Sequence, residues 1–220
     1  MAHWIDIENP LAPMRAWRAD PTSPSRGAVM VVQEIFGVNA HIRQVTERFA
    51  SAGFVALAPA LFDPLQPSVE LDYDADGIQK GRELTASLGF ERAIELVKAA
   101  ASKLQAEGLR TGTTGFCWGG TVALLGNTRL GLPAVSYYGG RSVPFLHEPL
   151  SAPMLFHFGE RDLIIPPEHV AAHRDAYPGA TVHVYPAGHG FNCDQRGDFD
   201  PVSAELAWQR TTDFLAENLR

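Results

Sequence analysis

Residues 113–121 read TTGFCWGGT, and the apolar residues VALL follow at 122–125. The core of this stretch, Gly-x-Cys-x-Gly-Gly, is typical of a sharp turn from a β-strand into an α-helix that presents a nucleophile. The central residue of such a turn has a strained backbone, and Gly115 and Gly119 remove side chains that would collide around it. We therefore predict that the Cys117 sulfur lies at a helix N-terminus, where free amides and the helix dipole favour a thiolate.

The 220 residues and their net charge of −7 limit the class of protein. The length suits one domain over residues 1–220, and the acidic balance argues against a nucleic-acid partner or an anionic membrane surface. The apolar runs are only strand-length, and the start of the chain has no signal-peptide pattern. Cys117 and Cys193 are the only cysteines, and pairing them would consume the candidate nucleophile. We expect a reduced, cytoplasmic protein.

Apolar strand-like runs alternate with helical patterns along the chain. The predicted strands are 28–32, 54–59, 111–116, 134–138, 153–159 and 181–185, and the predicted helices are 40–52, 74–88, 90–106, 118–127, 166–176 and 201–219. Residues 4–18 are predicted to form edge strands or a hairpin. In the last helix, Leu206, Phe214 and Leu215 are expected to face inward. This alternation predicts an α/β fold, with a mostly parallel twisted sheet and helices on both faces.

Four polar side chains follow the predicted strands at the point where each strand ends: Glu34, Cys117, Asp162 and His189. Functional groups gather at the carboxyl ends of strands in such sheets. The order nucleophile, acid, histidine, with separations of 45 and 27 residues, is the order of an α/β-hydrolase triad. Simpler interpretations stay open: an inert cysteine, a turn histidine, and an Asp162 that caps a helix or pairs with Arg161.

We expect neither a metal nor a cofactor. His169 and His173 lie four residues apart on a predicted helix, but the pattern offers no third ligand and no intervening glutamate of a zinc protease. We therefore predict that both are surface residues.

The chain resembles the dienelactone hydrolase family of α/β-hydrolases from about residue 14 to residue 219. Four motifs support this resemblance, and their combination is specific: QEIFG at 33–37, GFCWGG at 115–120, GERD at 159–162 and AGHGF at 187–191. Members of this family hydrolyse enol lactones with a Cys-Asp-His triad and an additional glutamate. The resemblance therefore implies the α/β-hydrolase fold and a cysteine-dependent hydrolase of small lactones.

The resemblance also implies a role for each motif residue. Cys117 would attack the lactone carbonyl, His189 would move the proton, and Asp162 would orient the imidazole. The backbone amides of Ile35 and Trp118 would hold the oxyanion. Glu34 would contact the resting thiol and take its proton when substrate binds, which gives a reason for a carboxylate within an apolar stretch.

The expected substrate-binding residues follow the family pattern less closely. The family binds the substrate carboxylate with two arginines, and Arg82 is the candidate for the first. The position of the second, four residues beyond the histidine, is Cys193 here, so Arg196 and Arg141 are the candidates. Tyr138, just before Arg141, completes the predicted set.

Two other functions remain open from the sequence. The same site could act on general esters or thioesters, or the fold could be a non-catalytic ligand-binding module with Cys117 as a redox switch. We expect a small-molecule lactone or ester as the partner, no nucleic acid, no membrane, and a monomer or weak homodimer. Specificity is expected in the loops 64–73 and 139–150.

Overall fold

A computed structural model describes residues 1–9 and 11–219 of the chain. Strands and helices alternate through it. The strands are β1 (Ala2–Ile7), β2 (Met14–Ala19), β3 (Ala28–Val32), β4 (Val55–Pro59), β5 (Thr111–Phe116), β6 (Ala134–Tyr137), β7 (Met154–Gly159) and β8 (Thr181–Tyr185). The helices are α1 (Ala40–Ser51), α2 (Ala75–Ala106), α3 (Trp118–Leu130), α4 (Pro167–Ala176) and α5 (Pro201–Asn218), with a short 3-10 helix at Val143–Phe145.

One sheet joins the described strands in the order β1-β2-β4-β3-β5-β6-β7-β8. The strands from β4 to β8 in this order are parallel, whereas β1 pairs with β2, and β2 with β4, in antiparallel fashion. The predicted mostly parallel sheet and the predicted edge hairpin are therefore confirmed, although residue 10, within that hairpin segment, lies outside the described residues.

Strand β3 explains why the sheet needs helices on both faces. All five of its residues are buried, and alternate residues face opposite sides. Val29 and Val31 pack in one apolar core with α1 and α5, whereas Met30 and Val32 pack in a second core with α2 and α3. Each buried side chain of this size contributes about 1.5–3 kcal/mol, so neither face can be left in water.

Local sequence signals set most helix boundaries. Asn39 caps α1 through its side-chain oxygen, and Asp200 caps α5 in the same way. Gly89, with φ of 70°, interrupts α2 at the predicted boundary between two helices. The expected inward orientation of Leu206 is wrong, because this side chain is 40% exposed, while Leu215 is fully buried.

The turn between β5 and α3 has the strained backbone that the sequence predicts. Cys117 adopts φ of 55° and ψ of −117°, in the left-handed region that side chains rarely occupy. A Cβ at Gly115 would overlap the carbonyl group of Gly119, and one at Gly119 would overlap the carbonyl of Gln33. The two glycines therefore allow α3 to start directly against the end of β3.

A hydrogen-bonded network lies between strands β6, β7 and β8 and helix α5. The imidazole of His157 is fully buried; its Nδ1 lies 2.8 Å from the Tyr185 hydroxyl and its Nε2 lies 3.0 Å from Thr211 Oγ1. The Tyr137 hydroxyl lies 2.6 Å from the same Thr211 oxygen. Burial, together with the positive charges of His183 and Arg210, lowers the pKa of His157 well below its usual value. His157 is therefore held neutral.

His169 and His173 were both predicted to be surface residues, and this prediction is only partly correct. His169 is half-buried, but His173 is 1% exposed and packs against Phe156 and Phe158. Its Nδ1 donates to the His169 carbonyl at 2.7 Å. The prediction is wrong for His173 because the backbone carbonyl one turn earlier pairs with Nδ1 and the ring packs against two phenylalanines, although among the described residues its Nε2 has no hydrogen-bond partner. No helix in residues 1–9 and 11–219 combines the length and apolarity that crossing a bilayer requires.

Replacing Gly115 with Ala should destabilise the fold, because the new methyl group overlaps the Gly119 carbonyl. We expect a loss of about 3 kcal/mol in unfolding free energy, measured by chemical denaturation. Gly126→Ala in α3 is the matched control, since its nearest neighbour would be a Thr113 methyl at 3.5 Å. The control should be neutral or gain about 0.5–1 kcal/mol. Equal stability of the two variants would contradict this account of the turn.

The stability should decrease as the pH falls below about 6.5, the usual pKa of histidine in an unfolded chain. In that range the unfolded chain binds a proton that buried His157 resists, so the folded state loses relative stability. Relative to pH 7, this one group should cost about 2 kcal/mol at pH 5, or about 4–8 °C in Tm. The reference is pH 7 because the raised pKa of His189 stabilises the fold as the pH falls from 8 to about 6.5.

His157→Gln should lower Tm at pH 7 but reduce the fall in Tm between pH 7 and pH 5, as measured by thermal denaturation. His147→Gln, at an exposed position, is the control and should keep the wild-type difference. An unchanged pH dependence in His157→Gln would contradict the prediction.

Candidate active site

Three of the predicted residues meet at the carboxyl ends of β5, β7 and β8. Cys117 Sγ lies 3.2 Å from His189 Nε2, and His189 Nδ1 lies 2.8 Å from Asp162 Oδ2. The cysteine is half-buried, whereas the other two side chains are almost fully buried. A thiol, an imidazole and a carboxylate thus form one continuous chain of polar contacts, although they are far apart in the sequence.

The interpretation of Asp162 as a helix cap is wrong, because α4 begins only at Pro167. The carboxylate of Asp162 is instead held by contacts to both of its oxygens. Its Oδ1 accepts the backbone amides of Ile164 at 2.8 Å and Ile165 at 3.1 Å, while its Oδ2 faces the imidazole. The carboxylate is therefore held by the local turn and is not free to rotate. It does not pair with Arg161, whose guanidinium donates to the Pro186 carbonyl. Such fixed geometry is what selects one tautomer of a neighbouring histidine.

The protonated form of His189 is favoured by its partners. Burial opposes a charge on the imidazole, but the hydrogen bonds to Asp162 and Cys117, and the negative charges of these groups, raise the pKa of His189 to about 10. At neutral pH the imidazolium form therefore dominates. An imidazolium 3.2 Å from sulfur stabilises a thiolate, which is the reactive form of cysteine.

Glu34 differs from the contact that the resemblance implies. Its side chain is buried, and its Oε1 accepts from Arg196 Nη1 at 3.2 Å, while its Oε2 has no hydrogen-bond partner. No hydrogen bond joins it to Cys117 within the described part of the chain. The expected contact with the resting thiol is therefore absent here, because the guanidinium of Arg196 binds the carboxylate instead.

Other polar groups surround Glu34 that the sequence analysis did not identify. The negative charge of Glu34 acts on both Tyr73 and Cys193, and Asn39 donates to the Tyr73 hydroxyl at 3.1 Å. Burial, and then the negative charge of Glu34, raises the pKa of Cys193 to about 11. Burial lowers the pKa of His41 below its usual value, and the negative charge of Glu34 partly opposes this shift. Tyr73 ends a loop in which specificity was expected, but no spacing rule connects it to a cysteine 120 residues later.

Tyr138 lies beside the triad rather than at the surface. The residue is fully buried, its ring centroid is 5.1 Å from that of His189, and its hydroxyl has no hydrogen-bond partner among the residues that the structure describes. Its φ of 41° is a second strained backbone conformation at this edge of the sheet. A buried hydroxyl without a partner is costly, so the position is consistent with a ligand group that satisfies it.

The predicted oxyanion residues lie at the same edge. Trp118 is the first residue of α3, where amides lack intrahelical partners, and half-buried Ile35 follows the end of β3. Gly119 packs against the backbone of Val32 and Gln33, so the start of α3 adjoins the segment that leads to Ile35.

The three candidate arginines are not equivalent. Arg196 contacts Glu34, and its guanidinium also lies against Gly190, the residue after His189. Arg82 and Arg141 are exposed, and within residues 1–9 and 11–219 their side chains form no hydrogen bond or ion pair. The helical turn of Arg82 is nevertheless near the site, because Gly81 packs against the Ile35 backbone. The structure thus brings Arg196, but not the other two, into the polar cluster.

One group of side chains could hold a metal, although no metal was expected from the sequence. Ligand atoms of His41, Cys193 and Asp194 all lie within 4.8 Å of one another. The sequence pattern did not indicate this group, because His41 is some 150 residues from the other two.

Comparison with known proteins identifies the family of this chain. The model of the dienelactone hydrolase family matches residues 14–219. A Synechocystis protein with the provisional name carboxymethylenebutenolidase is 32% identical, over 98% of this chain and 96% of its own. Carboxymethylenebutenolidase 1 of Cupriavidus pinatubonensis is 28% identical, over 91% of this chain and 90% of its own.

Solved structures share the fold. A Klebsiella pneumoniae protein, provisionally described as a dienelactone hydrolase, has a TM-score of 0.87 at 31% identity and covers 99% of this chain and 98% of its own. A dienelactone hydrolase from Anabaena variabilis has a TM-score of 0.75 at 17% identity, covering 100% of this chain and 99% of its own, which supports the fold alone. The chain therefore belongs to the dienelactone hydrolase family, has its α/β-hydrolase fold, and is a hydrolase that acts on ester or lactone bonds.

Proposed function

We propose that this protein is a cysteine-dependent hydrolase that opens a small enol lactone, such as a dienelactone, without a cofactor. The observation that supports the proposal most is the continuous contact from Cys117 Sγ through the His189 imidazole to Asp162 Oδ2, at 3.2 and 2.8 Å. Both distances lie within hydrogen-bond reach, which a nucleophile and its base require.

In the proposed mechanism, the Cys117 thiolate attacks the lactone carbonyl carbon and forms a tetrahedral intermediate. The amides of Ile35 and Trp118 would stabilise its oxyanion. Collapse of the intermediate breaks the ring C–O bond, and the imidazolium of His189 donates its proton to the departing enolate. The acyl group remains on sulfur as a thioester.

Neutral His189 then acts as a general base in the second half of the reaction. It removes a proton from water while the water oxygen attacks the thioester carbonyl, and collapse of this second intermediate releases the carboxylic acid and restores the thiolate. Asp162 holds the imidazole in the required tautomer and stabilises its cation in both halves. The resting imidazolium–thiolate pair is therefore regenerated.

Arg196 is the residue we propose for binding an anionic group of the substrate. Its side chain is partly exposed, lies next to the histidine loop, and already binds a carboxylate in the form of Glu34. A substrate carboxylate would compete with Glu34 for this guanidinium.

Two alternative functions would each use only some of these residues. A general carboxylesterase or thioesterase would use the same triad without a need for Arg196. A redox-sensing module would need Cys117 but not His189. Both cysteines are free thiols, so we also propose a reducing, cytoplasmic setting; the predicted monomer or weak homodimer remains an expectation.

Cys117→Ala and His189→Ala should each reduce hydrolysis by about a thousandfold or more, because both halves of the reaction need the pair. The assay compares turnover of a dienelactone and of p-nitrophenyl acetate. His147→Ala, at an exposed position, is the control and should keep full activity. Full hydrolysis by His189→Ala would contradict the proposal, and preference for the neutral ester would favour the esterase alternative.

Arg196→Gln should raise KM for a carboxylated lactone by about tenfold to a hundredfold, the value of a charged hydrogen bond. KM for a neutral ester should change much less, and Arg196→Lys should restore part of the difference. Arg82→Ala tests the second candidate against Lys80→Ala, its exposed neighbour on α2. Equal effects on charged and neutral substrates would remove the tested arginine from this role.

A further inference from the structure

Three side chains from distant parts of the chain meet beside the candidate active site. His41 lies in the first turn of α1, whereas Cys193 and Asp194 lie in the loop that follows His189. Their ligand atoms all lie within 4.8 Å of one another, and His41 Nδ1 is 3.5 Å from Asp194 Oδ1. Because each ligand lies about 2.0–2.3 Å from its metal ion, the 3.5 Å between His41 and Asp194 suits two ligands of one ion.

The imidazole in this group has lost its water without a full replacement. His41 is 3% exposed, and among residues 1–9 and 11–219 its Nε2 has no hydrogen-bond partner. Its Nδ1, the ring nitrogen that faces Asp194, is 3.5 Å from the carboxylate, which is too long for a good hydrogen bond. A cation bound between these groups would give Nδ1 a close partner, since imidazole and thiolate are both strong ligands of transition metals.

Exposure differs among the three ligands in a way that suits ion entry. Cys193 is fully buried, but the Asp194 side chain is 59% exposed. The carboxylate therefore connects the buried pair with solvent. An ion could arrive at Asp194, bind the two buried ligands, and keep water at its remaining position.

The surrounding charges also favour a cation. The buried carboxylate of Glu34 acts on both His41 and Cys193, and only one of its oxygens accepts from Arg196. Positive charges face the group as well: Arg48 acts on His41, and Arg196 acts on Cys193. A divalent ion would meet the negative charges of Asp194, Glu34 and a Cys193 thiolate.

We propose that His41, Cys193 and Asp194 form a binding site for a thiophilic divalent cation of the Zn²⁺ type. The nitrogen, sulfur and oxygen set suits Zn²⁺ and Co²⁺, whereas Mg²⁺ and Ca²⁺ prefer oxygen ligands alone. The proton of the Cys193 thiol would leave to solvent when the ion binds. This site is separate from the Cys117–His189 pair and does not depend on the proposed lactone substrate.

Such an ion would join helix α1 to the loop that begins at His189 and ends before α5. That loop also contains Arg196, which binds Glu34. Occupancy should therefore stabilise the loop and limit movement of this guanidinium. The proposed consequence is a higher melting temperature and a changed response to anionic substrates, rather than a new reaction.

Cobalt is a suitable probe, because Co²⁺ bound to a thiolate gives a sulfur-to-metal charge-transfer absorption in the near ultraviolet. The titration is done on reduced protein in the Cys117→Ala background, so that the catalytic thiol cannot supply the signal. We expect saturation at one Co²⁺ per chain and competition by Zn²⁺ with Kd below about 1 µM. Cys193→Ser should abolish the absorption.

Matched variants identify the other ligands. His41→Gln and Asp194→Asn should each weaken Zn²⁺ binding by at least about tenfold, since removing even an outer partner of a metal site can cost that much. Asp198→Asn is the control, because Asp198 is an exposed acid of the same loop. Asp194 is exposed, so Asp194→Asn still tests the site if the change at His41 impairs folding. The melting temperature of each metal-free variant shows whether that variant is folded.

Several results would overturn the proposal. One is a cobalt signal that disappears in Cys117→Ala and survives in Cys193→Ser, because the ion would then bind the catalytic thiol. Another is Zn²⁺ binding that is equally weakened by Asp198→Asn and Asp194→Asn. Absence of saturable binding in correctly folded protein would also exclude the site. None of these outcomes depends on whether the protein opens lactones.

Discussion

The sharp turn between β5 and α3 is the constraint on which the rest of the site depends. Cys117 can occupy its strained conformation only because Gly115 and Gly119 leave room for the backbones of α3 and β3 to touch. This contact places the sulfur at the N-terminus of a helix and at the carboxyl edge of the sheet together. Parallel strands then deliver Asp162 and His189 to the same edge, so the strain at one residue is supported by the packing of three strands.

A second organising feature is the buried negative charge of Glu34. A carboxylate inside a protein needs a partner, and Arg196 supplies one at 3.2 Å while one oxygen remains unpaired. The roles proposed for the residues around Glu34 follow from this single contact with Arg196. An anionic substrate could compete for the arginine, and a cation at His41 and Cys193 would balance the charge. The same carboxylate thus connects the end of β3 with the loop that follows His189.

Much of the site could be predicted from the sequence because its residues follow strands. The segments before Cys117, Asp162 and His189 are rich in the β-branched and aromatic residues that favour strands, and parallel strands end at one edge of a sheet. Proximity of the three side chains follows from this rule. The burial of His173 and the exposure of Leu206 could not be predicted in this way. Helical periodicity is weak in both helices, so it did not define which side faces the core.

The sequence by itself determined the fold class, the positions of nearly all strands and helices, the strained turn and the order of the candidate triad, because these depend on local periodicity, glycine and chain order. Only the tertiary structure decided that Glu34 pairs with Arg196 rather than with the thiol, and that His41 meets Cys193 and Asp194. These contacts join loops and helix ends whose paths are set by packing against the whole sheet. No short-range pattern encodes such a path, which is why the three-dimensional arrangement was needed to find them.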